Sequence, residues 1–390
     1  MRRTLSLFVL AAGVCAPLSQ ALGSEVNVHG LLEVVGAERT DAFALNRLTR
    51  GDSPFDGYGL RLHVDAKSGS QVQIFTQIVL RDAATPYVDG AYLMYTPSPQ
   101  RDLHVVAGKI PWAIGSYAPR TYSNRNPLIG APLMYQYHST LVWYEIVPNA
   151  DALLKAAGSG QYRVNYFGYG AGAGMPIVDD SYWDVGATLL GSARPFEYAV
   201  GTVAGTPGWG STSQDENSGR TVLGRLGFTP GPGLRVGVSG AYGPYLSEAA
   251  RPELPAGASL TAFHQRLAMA DAEWLAGHAE VRAEAADNLW ESPTVGHLRV
   301  RSAYGELKYA LSFGAFMAGR LDALRFGDIT DSTGARRSWD TDITRAEAGF
   351  GYRFSHDAVA KLVYQRTLMG RPSSPQRTLG MMAGQLSVTF

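Results

Sequence analysis

Between Asp102 and Glu145 the chain has no aspartate or glutamate, yet it carries Lys109, Arg120, Arg125 and His138. The stretch AGKIPWAIGSYAPRTYSNRNPLIGAPLMYQYHSTL (107–141) adds Tyr117 and Tyr122 as aromatic groups, and Asn124 and Asn126 as neutral hydrogen-bonding groups. Cations of one sign in a narrow passage of low dielectric concentrate the opposite ion, so the chemistry on offer is electrostatic selection. Pro111, Pro119, Pro127 and Pro132 are too many for a strand interior. The segment is also too apolar for a solvated loop, and a long loop of that kind is normally packed against something.

Bond-making chemistry finds no support. The histidines at 29, 63, 104, 138, 264, 278, 297 and 356 are dispersed, without HExxH or paired-ligand spacing, which argues against a metal. No G-x-S-x-G elbow occurs. GYGAGAG (168–174) lacks the strand–loop–helix context of a nucleotide loop. The acidic runs VDDSYWD (178–184) and SQDEN (213–217) have incomplete calcium-ligand spacing and read as solvated loops. No catalytic residue, metal or cofactor is expected.

The elements around the cationic segment alternate with the period of strands. SQVQIFTQIVL sets Val72, Ile74, Ile78 and Leu80 against Gln71, Gln73, Phe75 and Gln77. HAEVRAEAAD sets Ala279, Val281, Ala283 and Ala285 against Glu280, Arg282 and Glu284, and ITRAEAGFGYRF repeats the pattern around Arg345, Glu347 and Arg353. Charges of both signs deep within segments of about ten residues, the length of a tilted membrane strand, point to an apolar face on lipid and a polar face on a wet interior. Short connections (67–70, 96–102, 192–195, 229–233, 276–278, 312–314, 355–357) alternate with long ones (39–57, 205–219, 243–259, 327–339), as periplasmic turns alternate with external loops in outer-membrane barrels. The fold expected is therefore all-β, a transmembrane antiparallel barrel. Both termini on one side require an even number of strands. Counting STLVWYEIV (139–147) as a strand gives about 18, with 16 as the alternative.

The same parity places Arg225, Arg235, Arg282, Arg320, Arg345 and Arg353 on the lumen wall, among Glu280, Glu284, Glu306, Asp322 and Glu347. Those arginines either face solutes or pair across strands and stiffen the barrel. Arg299 and Arg301 fall on the apolar parity, near the external end of their strand.

Residues 1–23 read as a secretory signal: Arg2 and Arg3, an apolar run from Leu5 to Val14, then small residues at Ala21 and Gly23. Its removal takes away Cys15, the only cysteine, and leaves 32 basic against 34 acidic residues, a balance that implies no nucleic-acid surface. Residues 24–390 then form one barrel.

The ending GQLSVTF resembles the C-terminal signature of bacterial outer-membrane proteins, a closing Phe390 with apolar residues two and four positions earlier. The cationic segment follows the fifth strand by count, and porins fold the loop after their fifth strand into the lumen. GKIPWAIG (108–115) is similar to the turn that opens this region in phosphate- and polyphosphate-selective porins, although Ile110 stands where they have an aromatic and Pro111 comes early. The resemblance implies a porin: a water-filled channel for passive diffusion of small hydrophilic solutes or anions, with a constriction loop over 110–138, a homotrimer, and outer-membrane lipid and lipopolysaccharide around it. A barrel enzyme acting at the external rim, and a plugged structural or adhesin barrel, are the competing classes.

Overall fold

Alternation sets the exposure of the strands. Along Asp342–Arg353, Arg345 and Glu347 are buried while Ala346, Ala348 and Phe350 are exposed. The computed structural model describes residues 25–39, 57–81, 86–98, 100–158, 164–165, 168–169, 174–179, 183–210, 217–371 and 374–390. The signal expected over 1–23 and most of the 39–57 connection lie outside the described residues.

Sixteen strands close into a barrel in which every neighbour is antiparallel. The first five are β1 (Glu25–Arg39), β2 (Gly57–Ser68), β3 (Val72–Arg81), β4 (Tyr87–Tyr95) and β5 (Leu103–Pro111). After the cationic segment come β6 (Trp183–Ala193), β7 (Phe196–Val203), β8 (Thr221–Gly231), β9 (Leu234–Pro244), β10 (His264–Ala276) and β11 (Ala279–Ser292). The last five are β12 (Gly296–Ala310), β13 (Ala315–Phe326), β14 (Asp342–Arg353), β15 (Ala358–Arg371) and β16 (Ser374–Thr389). The seam joins β16 to β1 from Leu31↔Thr389 to Arg39↔Met381, and Phe390 extends it by exchanging backbone hydrogen bonds with Gly30 at 2.7 and 3.0 Å. Closure leaves no unpaired edge. The seven short connections expected from sequence fall at one end of the barrel and the four long ones at the other, which also holds the brief connections 293–295 and 372–373.

The strand count differs from the 18 expected and matches the alternative of 16. STLVWYEIV (139–147) is not a strand. Leu141, Val142 and Trp143 are buried in succession, which a strand with one lipid face does not allow. Its backbone is satisfied elsewhere: Ser139 N–H bonds to Met175 O at 3.0 Å, Thr140 N–H to Asp340 Oδ2 at 2.6 Å and Ile146 N–H to Glu253 Oε2 at 2.6 Å. Burial pushes the Asp340 carboxyl above the usual range, although it also accepts from Gly158 N–H and the Tyr137 hydroxyl. A short hairpin, 164–165 with 168–169, stands apart from the barrel.

Exposure is inverted relative to a water-soluble protein. Leu321 is 68% exposed, whereas its neighbour Arg320 is 1% exposed. Val222, Leu226, Val238, Leu307 and Leu362 share the outward face with Leu321. At the short-turn end Phe196, Trp274, Tyr309, Phe313, Phe354 and Phe390 are exposed, forming one aromatic girdle; Tyr87 and Tyr242 are exposed at the long-loop end. A closed wall with an apolar exterior satisfies its backbone without water, as a membrane-spanning chain must. Among the described residues no helix is long and apolar enough to cross a membrane. Leu321→Arg is expected to destabilise the barrel by about 2–4 kcal/mol in a denaturant titration in lipid vesicles, the cost of a cation near the bilayer centre. In water the same exposed change would be nearly neutral.

Candidate functional site at the inner wall

On the inner face, the register brings charges of opposite sign opposite one another across six strands. Arg235, Glu273, Arg282, Glu306, Arg320 and Glu347 lie side by side on β9 to β14. Their closest approaches are 3.7, 3.6, 3.5, 3.3 and 2.7 Å in that order. Gln365 on β15 ends the row, donating to Glu347 Oε2 at 2.7 Å. A second set lies two residues along the strands toward the long-loop end, where Arg345 reaches Asp322 and Glu347, each at 3.0 Å. Arg225 is bound to Asp271. The wall arginines expected from parity are therefore present on the inner face, and most are spent on neighbouring carboxylates. Arg353, near the short-turn end, instead donates to the carbonyls of Asn124 and His356.

Segment 112–147 packs against this wall. Gly108 and Gly115, the two glycines of GKIPWAIG, both have positive φ, at 129° and 63°. A side chain on Gly108 would stand 2.5 Å from Ala91 O, and one on Gly115 would stand 2.9 Å from Tyr135 Oη, so both need the residue without Cβ. Beyond Gly115 the chain is tied down residue by residue. Gly115 N–H bonds to Ser239 Oγ at 3.0 Å, and Arg225 Nε to Gly115 O at 3.0 Å. Glu284 accepts from Ser116 Oγ at 2.9 Å, from Ser116 N–H and from the Tyr135 hydroxyl. Arg320 donates to Gly130 O at 3.2 Å, and Arg345 to Gln136 Oε1 at 2.6 Å and to Ala131 O. Lys361 on β15 gives its ammonium to three carbonyls, Ser123, Asn126 and Leu128, at 2.7, 3.0 and 3.0 Å. Across from these, the Tyr122 hydroxyl donates to Gln77 Oε1 on β3 at 2.7 Å.

The residues singled out in the segment separate into three groups. Tyr122 and Arg125 keep exposure, and Tyr122 faces Arg61 and His63 of β2, at 5.6 and 5.5 Å from its ring. Tyr117 and Arg120 are buried within the segment: Tyr117 stacks on Tyr135, and Arg120 is bound to Glu273 and to Ser116 O. His138 is buried 36 residues from its partner, with Nδ1 2.6 Å from Gly174 O. Lys109 departs from the expectation. The strand β5 continues to Pro111, so Lys109 sits opposite Ala91 and Val185 on the outward parity, and its Nζ donates to Val88 O at 3.2 Å.

Lys361 and Arg61 were missed. Both lie on the inward parity of alternating strands, so the rule that found Arg345 would also have found Lys361 in AVAKLVYQRT, between outward Ala360 and Leu362.

No protein-family model and no curated protein sequence matches the chain. Solved structures do. OmpF of Salmonella typhi in complex with daunomycin is 12% identical, with 94% of this chain and 98% of that chain covered and a TM-score of 0.58. This chain has the fold of the bacterial outer-membrane porins. A loop L8 deletion mutant of OmpT, an outer membrane protein of Vibrio cholerae, is 11% identical over 94% of this chain and 99% of that one, at a TM-score of 0.56. The outer membrane channel DcaP of Acinetobacter baumannii is 8% identical over 94% and 97%, at 0.54. With its apolar face outward and its charged face inward, a barrel of this fold belongs in an outer membrane.

Lys361→Met is expected to free the turn at 122–128, because three buried carbonyls lose their donor at a cost of about 1–3 kcal/mol. Single-channel recording checks this: the variant should show noisier open levels than the parent protein at equal voltage.

Proposed function

We propose that the chain is an outer-membrane channel for passive diffusion of small hydrophilic solutes, with segment 110–138 as its constriction and a preference for anions. The observation that carries this reading is the stitching of 115–136 to side chains of the charged face, from β8 round to β15, with Tyr122 reaching β3. A loop held in this way narrows a wet interior by its own bulk and selects by size.

The preference for anions rests on a smaller set of charges than composition suggests. Arg120 and most wall arginines face carboxylates and present little field to a solute. Arg125 is exposed on the segment, with Arg61 of β2 beside Tyr122 and Lys361 behind the same turn. Those three cations, offset by Asp89 at 3.8 Å from Arg61 and by buried Glu33, which acts on both Arg61 and Lys361, would set the field at the narrowest point. Assembly as a homotrimer is part of the proposal; OmpT of Vibrio cholerae, at a TM-score of 0.54, has been solved in a trimer form.

Planar-bilayer recording tests the whole reading. Discrete conductance steps are expected, with a reversal potential on the anion side in a potassium chloride gradient. Arg125→Gln should lower the anion-to-cation permeability ratio by about twofold, as removal of one charge from a confined passage does, and Arg120→Gln should shift it less. A folded barrel that carries no current would overturn the channel, and cation selectivity in the parent protein would overturn the preference for anions.

A further inference from the structure

The outer wall carries a feature that passage through the lumen does not use. On the outward faces of β9 to β13, near the long-loop end, the register sets out rows of residues. Tyr242, Arg266, Leu289 and Arg299 form one row. The next row down holds Ala268, Asp287, Arg301 and Arg325, with Arg301 directly opposite Arg325. Below it stand Ala270, Ala285, Ala303 and Ala323.

Two properties of these rows point to a ligand. First, the cations outnumber their partners. Asp287 is shared by Arg299, which it holds at 2.7 Å through Nε, and Arg301, at 3.8 Å. Arg325 donates only to uncharged acceptors, the carbonyls of Leu324 and Ile343 and the Thr344 hydroxyl. Like charges directly opposite on an exposed pair are unfavourable, and Arg301 is 63% exposed. Second, the alanines leave a trough of about 540 Å³ beneath the guanidinium groups, where other outward faces carry leucine and valine.

Depth fits both parts. Tyr309 of the lower girdle and Arg299 are ten residues apart on β12. At about 3.3 Å per residue and a tilt near 40°, that is about 25 Å, the height of the apolar band of an outer-membrane barrel. The arginine rows therefore stand at the upper interface, beside the Tyr242 ring, over which Arg266 lies at 5.5 Å. The alanine row lies just inside the hydrocarbon.

We propose that this patch binds a phosphorylated lipid of the outward-facing leaflet, its phosphate bridging Arg301 and Arg325 and an acyl chain lying in the alanine trough. The bidentate geometry of guanidinium suits phosphate oxygens, and a dianionic group between the two arginines removes their mutual repulsion.

Native mass spectrometry of the intact purified barrel, titrated with lipid A, tests this. Arg301→Gln with Arg325→Gln should weaken lipid A binding by about tenfold, the effect of one or two lost charge-assisted hydrogen bonds. Arg366→Gln, an outward-facing cation on β15 outside the patch, should leave binding unchanged. Ala303→Leu with Ala323→Leu should weaken binding by filling the trough. Millimolar inorganic phosphate should not displace the lipid, which separates a lipid site from a free-phosphate site. Equal affinity in the double arginine variant and Arg366→Gln would overturn the proposal. So would an altered oligomer mass with unchanged lipid binding, the result expected if a second copy of the chain covers the patch.

Discussion

The row of alternating charges from Arg235 to Glu347 is the constraint on which the inner half of this molecule depends. Each charge stands opposite its partner because the strands pair in one register, and a slip of one residue would turn every arginine in the row toward lipid. The ion pairs are weak as sources of stability, since desolvation cancels much of the Coulomb attraction. Their value is in specificity: a buried charge left without its partner costs several kcal/mol, so registers that separate the pairs are excluded. The barrel's closure and its inner wall are in this sense one arrangement.

The same wall also fixes what lies against it. A guanidinium has five donors, and one carboxylate uses only some of them. Arg320 and Arg345 turn the remainder to the carbonyls of Gly130 and Ala131, and Glu284 turns its second oxygen to Tyr135. Segment 115–136 has almost no regular structure, only a turn of 3₁₀ helix at Ala118–Arg120 and a short helix at Leu133–Gln136, so its own backbone leaves many groups unpaired. The wall supplies those partners. Proline and glycine shape the path, and inward side chains hold it.

How much of this could be read from sequence depended on whether a rule was local. Alternation is local, so it gave the lipid face, the lumen face and the ends of most strands, and it placed Arg320 and Arg345 on the inner wall. The parity count failed at STLVWYEIV, whose β-rich composition serves burial against loops instead of a ladder, because burial on both sides leaves the same residue types as a strand. Composition marked the 107–141 segment as packed and cationic. It could not say which cations stay exposed, because Glu273 neutralises Arg120 from a position 153 residues away. Lys109 was misplaced by a single residue of parity: the strand runs to Pro111 and carries it outward.

Hydrogen exchange on the intact barrel in nanodiscs tests most directly the claim that the charged wall holds segment 115–136 in place. The account predicts that amides of Gly115, Ser116 and Leu128 exchange nearly as slowly as strand amides, and that Arg320→Ala with Arg345→Ala speeds them while leaving β1 to β4 unchanged. Rapid exchange across 115–136 in the parent protein, beside a protected barrel, would contradict it.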